Sequence, residues 1–340
     1  MFKNIAVLGA GAIGSSIGAD LTDAGHHVLI IDQWPENVEA MKRDGLHITM
    51  TDLDLSVRVN ACHLHEVYGL QPQFDLVLLA CKSYDSRWLT HFILPYLKAD
   101  GVLVSMQNSL NDEWLAPIVG EDRMMGCVVE LSGEMVAPGK VVRNTTRTST
   151  WFGPGELSRE VTPRLCALEQ LLGCSATTEK TINLLGARWS KLIVNAMTQG
   201  PIGMLGMKSA QAAELEGFFE LATRVGQEAY QVAKLSGVRI EPVFGLSEQD
   251  LNGSPQEAIQ KLLNTLLLHL GKNSRNAVVQ DHAKGRRTEV DYINGLIERK
   301  GLLHQIPTPL NSAVNRLNKD IESGKLSANP DNLQKVWRYI

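Results

Sequence analysis

Lys191, Asn195 and Gln199 recur every fourth residue in RWSKLIVNAMTQG (188–200), so on a helix they share one side. The rest of that stretch is mostly apolar: Trp189, Leu192, Ile193, Val194, Ala196 and Met197. An ammonium one turn from a carboxamide is a proton donor beside a group that can orient a carbonyl. Hydride reduction of a ketone puts negative charge on its oxygen, which must then gain a proton. The same spacing also describes an ordinary wetted helix edge, and the stripe alone does not separate the two.

A second candidate lies near the start of the chain. Gly9-Ala10-Gly11-Ala12-Ile13-Gly14 follows the apolar run NIAVL (4–8) and opens a helical pattern to about Ala24, with Gly25 as its stop. A lone GxGxxG is a weak signal. Here it sits between a strand and a helix, and Asp32 ends the next strand, HVLIID (27–32), which is the dinucleotide-binding context. Gly9 permits the tight turn, Gly11 lets backbone approach a pyrophosphate, and Gly14 allows close helix–strand packing. The helix N-terminus adds unpaired N–H groups and partial positive charge.

Asp32 is placed to accept from the ribose hydroxyls of the adenosine half. Gln33, Trp34 and Pro35 after it include no base for a 2′-phosphate. A carboxylate about 4 Å from such a phosphate is repelled by up to several kcal/mol per charge. NAD is therefore favoured over NADP. The bland alternative is a structural turn and a solvated strand-end carboxylate.

Two further strands end in polar residues, Cys81-Lys82-Ser83 and Gln107-Asn108-Ser109. Ligands of open α/β sheets bind beyond the carboxyl ends of the strands, so Lys82 and Asn108 are candidate cofactor contacts. Lys82 is equally readable as a solvated loop residue. Asn108 could cap the next helix, although Asn111 competes for that role.

The elements that must position these groups alternate over the first half of the chain. Apolar runs at 4–8, 27–32, 74–81 and 102–107 alternate with helical patterns, the signature of a mostly parallel, doubly wound sheet. Residues 126–155 are rich in β-branched residues around Pro138-Gly139 and predict a hairpin-like edge. Long 3.6-period segments then take over at 182–206, 210–236, 255–271, 287–303 and 307–323. A length of 340 residues exceeds what one core usually serves. The expectation is an α/β Rossmann dinucleotide-binding domain over 1–180 and an all-α domain over 181–340 for substrate and dimerisation.

Composition removes other classes. A net charge of −4 gives no footing to a nucleic-acid partner or an anionic membrane. Five scattered cysteines without a Cys-x-x-Cys pair suit a reducing compartment, and no apolar run reaches membrane-helix length. Four glycines between Gly9 and Gly18 argue against a signal peptide, so the cytoplasm is expected. Cys62-His63-Leu64-His65 lacks matching ligands elsewhere, and no metal is expected. Neither a G-x-S-x-G elbow nor a P-loop is present.

Taken in order, GAGAIG, Cys81-Lys82-Ser83, Gln107-Asn108, Lys191 with Asn195, RRTEVDYING (286–295) and Ile306-Pro307-Thr308-Pro309 resemble the ketopantoate reductase (2-dehydropantoate 2-reductase) family. GAGAIG is common to many dehydrogenases, whereas the Lys191/Asn195 and Thr288/Glu289 pairs are more particular. The resemblance spans nearly the whole chain. It implies a Rossmann domain plus a helical domain, a small-molecule 2-oxo acid as substrate, and the reductive step of pantothenate biosynthesis. It implies Lys191 as the acid that protonates the keto oxygen and Asn195 as a substrate contact. Asn108 would touch both substrate and nicotinamide, Lys82 would bind the cofactor, and Glu289 would hold the cofactor and orient the catalytic site. A homodimer built through the helical domain is expected from its Leu- and Ala-rich helices.

The chain departs from the family pattern at substrate-facing positions. Gln199 stands where a second asparagine is usual, and Asn276-Ala277-Val278 replaces Ser-Ser-Met, so the serine expected to touch pantoate is Ala277. Asn276 could restore a contact. Ser109 replaces glycine after Gln107-Asn108, and Asp32 is atypical of NADP-using members. Loss of a polar contact alters specificity by large factors, which predicts a 2-oxo acid other than ketopantoate. The rivals are an imine-, opine- or hydroxy-acid-type nicotinamide enzyme on the same scaffold and a non-catalytic dinucleotide sensor. A sensor has no need of Lys191 and Glu289 together.

Overall fold

The computed structural model describes residues 2–242, 257, 259–264 and 275–339. Two compact units are present, Met1–Leu184 and Leu185–Ile340.

The first unit is built on an eight-stranded sheet. In chain order its strands are β1 (Ile5–Leu8), β2 (Val28–Asp32), β5 (Asn60–His63), β6 (Phe74–Leu79), β7 (Leu97–Ser105), β8 (Met124–Glu130), β11 (Trp151–Glu156) and β12 (Thr177–Thr178). Their spatial order is β12-β11-β8-β7-β6-β1-β2-β5. Every pair is parallel except β8 with β11. Both faces are covered, which is why the strands read as continuous apolar runs. Ile5, Val7, Ile30 and Leu78 point into one core with Ile17 and Leu21 of helix α1 (Ala12–Asp23). Ala6, Leu8, Ile31 and Leu79 point into the other, with Leu89, Ile93 and Leu115.

The edge expected over 126–155 is more elaborate than a hairpin. β9 (Gly133–Ala137) and β10 (Lys140–Arg143) do form one, turning at Gly139 with φ +70. They belong to a separate four-stranded sheet with β3 (Leu46–Thr49) and β4 (Asp54–Val57), in the order β4-β3-β10-β9. Four-residue strands carry too little periodicity to be told from loops, so the β3–β4 hairpin declares itself only through its pairing, locally with itself and, through β3, with distant β10.

The second unit is helical throughout its described residues. α7 runs Leu184–Leu205, and after the short α8 (Ser209–Ala213), α9 spans Phe218–Leu235. Gly217, at φ +84, breaks the segment expected to be continuous over 210–236. α10 (Ala277–Ala283), α11 (Asn294–Leu303) and α12 (Pro309–Glu322) follow. Most of the segment expected over 255–271 lies outside the described residues; 257 and 259–264 are helical.

A proline within α7, Pro201, removes one helical N–H donor. Asparagine side chains serve the carbonyls around it. Asn294 donates to Ala196, Asn276 to Thr198 and Gln199, and Asn318 to Gly200. Gly200 and Gly203 make room for this packing, since a Cβ on either would overlap Asn294 or Val278. α7 is thus fastened by side chains from three later segments.

Candidate active site

The glycine loop leaves β1 between β6 and β2. Gly9 sits at φ +99, where a side chain is strained, and a Cβ there would lie 2.7 Å from the Cys81 amide nitrogen. A Cβ on Gly14 would overlap the Gly9 carbonyl oxygen, so these two glycines are required by the protein's own packing. Gly11 differs: a Cβ there would meet nothing within 4 Å. The open side of the loop is at Gly11, the N-cap of α1, while Ala12 and Ile13 begin the helix.

Ala10 is pinned at both polar atoms. Its N–H donates to one carboxylate oxygen of Asp32, and its carbonyl accepts from Asn37 (3.1 Å) and Ser15 (2.9 Å). The other Asp32 oxygen accepts from the Trp34 amide at 2.7 Å. The carboxylate therefore shapes the loop as well as standing at the end of β2, a structural role that strand-end position did not reveal. Asn37 and its bond to the Gly139 amide (2.8 Å) likewise escaped sequence reasoning, because an asparagine two residues into a helix carries no signal of its long-range partner.

Lys82 and Asn108 lie on the loops after β6 and β7, neighbouring strands. Asn111 joins those loops, donating to Ser83 Oγ (3.1 Å) and to the Asn108 carbonyl (2.6 Å). Asn111 holds the N-cap position of α5 (Asp112–Val119) but makes no side-chain cap there, so its expected capping role is corrected. Ser109 adopts φ +74, the left-handed region. Glycine is the residue type that tolerates this freely, and serine there stores about 1 kcal/mol of strain.

In the helical unit, Trp189, Leu192, Ile193, Val194, Ala196 and Met197 are all at most 1% exposed. Asn195 is buried with them, whereas Gln199 on the same side is partly exposed. Lys191 is half-buried, and burial pushes its ammonium down from 10.5 to about 7. A lysine so placed exchanges its proton near neutral pH.

Gln199 is turned to other use. Its Oε1 accepts from the Ala277 amide at 3.2 Å, at the start of α10. Asn276 caps that helix through Val279 N–H (2.9 Å) while donating to two α7 carbonyls. The two positions that depart from the family pattern, Gln199 and Ala277, thus bond each other, and Asn276 beside them is a helix cap.

Glu289 is not on a helix spanning 287–303. It precedes a short 3-10 turn, Val290–Tyr292, and α11 begins only at Asn294. Thr288, buried beside it, donates its backbone N–H (2.8 Å) and hydroxyl to Glu322 and accepts from Val290 N–H (3.2 Å). These bonds compete with helical ones and hold the turn open. Asn294, through Ala196, fastens this segment to the α7 turn that carries Asn195. Glu322 is a supporting residue that sequence reasoning missed.

Among the described residues, no group of three His, Cys, Asp or Glu side chains could hold a metal ion, and no helix is long and apolar enough to cross a membrane.

A doubly wound sheet with a pinned glycine loop, followed by a unit that is helical among its described residues and carries half-buried Lys191 one turn from buried Asn195, is the scaffold of a Rossmann-type oxidoreductase. The chain belongs to the ketopantoate reductase family. Residues 5–156 match the family model described as Ketopantoate reductase PanE/ApbA, and 183–322 match Ketopantoate reductase PanE/ApbA C terminal. The 2-dehydropantoate 2-reductase of Pyrococcus horikoshii is 29% identical over 94% of this chain and 97% of that protein. The ketopantoate reductase of Ralstonia eutropha superposes with TM-score 0.78 at 26% identity, over 95% of this chain and 99% of that one. A structure of D-mandelate dehydrogenase with NADH and anilino(oxo)acetate gives TM-score 0.82 at 22% identity, covering 94% and 99%. The protein is accordingly an oxidoreductase of this family.

Proposed function

We propose that the protein reduces a 2-oxo acid to a 2-hydroxy acid with a nicotinamide cofactor, NADH in preference to NADPH. The observation that carries this reading is Lys191, its ammonium brought to about 7, one turn from buried Asn195. A general acid works best with a pKa near the operating pH. In this reading Lys191 protonates the keto oxygen, Asn195 and Asn108 hold the substrate, and Glu289 orients the site. The bound nicotinamide would supply the hydride.

The glycine loop fits such a cofactor. A Cβ on Gly11, the N-cap of α1, would meet nothing within 4 Å, and in this reading the pyrophosphate lies there against backbone N–H groups, with Lys82 contacting it and Asp32 contacting the adenosine ribose. Lys42 and Arg43, the nearest bases along the chain after Asp32, bond Glu66 (2.7 Å) and Asp44 (2.6 Å). That supports NADH. Gly11→Ala is expected to keep native thermal stability and weaken dinucleotide binding by about tenfold or more, about 1.4 kcal/mol. Gly14→Ala is expected to lose about 3 kcal/mol of stability through overlap with Gly9. Thermal unfolding alongside a binding titration separates the two, and equal behaviour of both variants would refute the assignment.

With Gln199 Oε1 on the Ala277 amide and Asn276 spent as a cap, the substrate's side chain meets fewer polar groups than the family pattern supplies. A 2-oxo acid with a branched apolar or aromatic side chain suits this better than ketopantoate. Steady-state kinetics with both cofactors and a panel of 2-oxo acids provides the test. Highest kcat/KM with ketopantoate would remove the substrate assignment, and preference for NADPH would remove the cofactor assignment.

The reading includes a cytoplasmic homodimer assembled through the helical unit. Phe219, Leu235, Leu302 and Leu303 of that unit are between 44% and 78% exposed, apolar surface of the type that association covers. Sedimentation is expected to give twice the 37.4 kDa chain mass at micromolar concentration, and a lone monomer would refute it.

A further inference from the structure

We infer that Asp85 is a second specificity-determining carboxylate for the cofactor, acting with Asp32 to exclude a 2′-phosphate from the adenosine end. The inference rests on the nicotinamide reading above and adds to it a residue on a different loop. β1 lies between β2 and β6, so the loop after β2 and the loop after β6 flank the glycine loop at the carboxyl edge of the sheet. Gln33, the residue after Asp32, reaches across and donates its side-chain amide to Asp85 Oδ2 at 3.0 Å. Asp85 Oδ1 accepts from the Trp88 indole at 2.9 Å. The carboxylate is thus held by donors from two directions, with its backbone N–H on the Lys82 carbonyl (2.9 Å).

An adenosine whose ribose bonds Asp32 lies beside this bridge, because the loops after β2 and β6 form its two walls. A 2′-phosphate there would face Asp32 on one wall and Asp85 on the other. Neither donor to Asp85 is cationic, so its negative charge is left uncancelled by them. Repulsion between like charges at one site selects against the wrong partner more than it strengthens the right one. Gln33 contributes by fixing where the Asp85 charge stands.

Asp85→Asn tests this, with Glu160→Gln, an exposed carboxylate elsewhere on the unit, as the control for net charge. Affinities for NADH and NADPH are measured by fluorescence titration at low and at high salt. The expected result is about a tenfold gain in NADPH affinity for Asp85→Asn at low salt, shrinking as salt screens the charge, with NADH affinity within about threefold of native. Glu160→Gln is expected to change neither. Native NADH binding with an unaltered NADPH-to-NADH ratio in Asp85→Asn would overturn the inference alone. Failure of the native chain to bind either dinucleotide would overturn the nicotinamide reading and the inference with it.

Discussion

Replacing Lys191 by methionine is expected to lower turnover by about 100- to 1,000-fold, the usual cost of removing a donor aimed at a developing oxyanion. The same variant is expected to be more stable than the native chain at pH 6. Both expectations follow from one cause. Burial lowers the Lys191 pKa from 10.5 to about 7, so below pH 7 the folded protein carries an ammonium in a place that disfavours charge. Between about pH 7 and 10.5 the unfolded chain binds a proton there that the folded chain lacks, and stability rises with pH across that window.

A shift of about 3.5 units, 10.5 less 7, sets a ceiling near 5 kcal/mol, and a gain of about 1–3 kcal/mol at pH 6 is expected. Methionine keeps the length of the stem and leaves no charge to desolvate. In its proposed role as the acid in reduction, Lys191 has to be protonated, so the reductive rate is expected to fall as pH rises through about 7, and oxidation of the hydroxy acid, which would need the free amine, to rise through the same pH. Denaturant titration at pH 6 and rate profiles in both directions check these signs. Native turnover in Lys191→Met, or a loss of stability at pH 6, would overturn the assignment.

The largest expected effect on folding lies in the first unit, away from these groups. Asp20 of α1 accepts from Arg143 (2.7 Å), Ser175 (2.5 Å) and Arg147 (2.8 Å). Its side chain is 1% exposed and that of Arg143 is 0%. Arg143 also donates to Thr150 Oγ1 and the Ser175 carbonyl, both at 2.7 Å. Burial pulls the Arg143 pKa down, and Asp20 opposes that pull. Asp20→Ala strands the guanidinium and is expected to cost about 3–5 kcal/mol.

Replacing the pair together, Asp20→Leu with Arg143→Met, is expected to cost less than Asp20→Ala, because no buried charge is then left unpaired. Chemical denaturation of single and double variants reads this directly. Equal or additive losses would show that the network acts through packing alone. Since α1 begins at the glycine loop, Asp20→Ala is also expected to loosen dinucleotide binding.

Much of this architecture is legible in the amino-acid sequence. The strand–GAGAIG–helix–strand–Asp32 order is local, each step set by neighbours along the chain, and the sheet and helix follow it. The Lys191, Asn195 and Gln199 stripe was equally visible, because residues four apart share one side of a helix whatever surrounds it. What surrounds it was not. Spacing could not tell a wetted edge from a buried one; in the folded chain Asn195 is 2% exposed, on a helix whose carbonyls asparagines from three later segments fasten.

Partners far apart along the chain decided the rest. Thr288 met Glu322 and thereby kept Glu289 off a helix, Gln199 met the Ala277 amide, and Asp32 met Ala10. Strand β3, paired locally with β4, joined β10, nearly a hundred residues on. The amino-acid sequence by itself determined which elements form and which chemical groups they carry, since propensity and periodicity act over a few residues. Only the tertiary structure decided which of those groups are spent on holding the fold, since a hydrogen bond across long sequence separation depends on three-dimensional closure that no local pattern encodes.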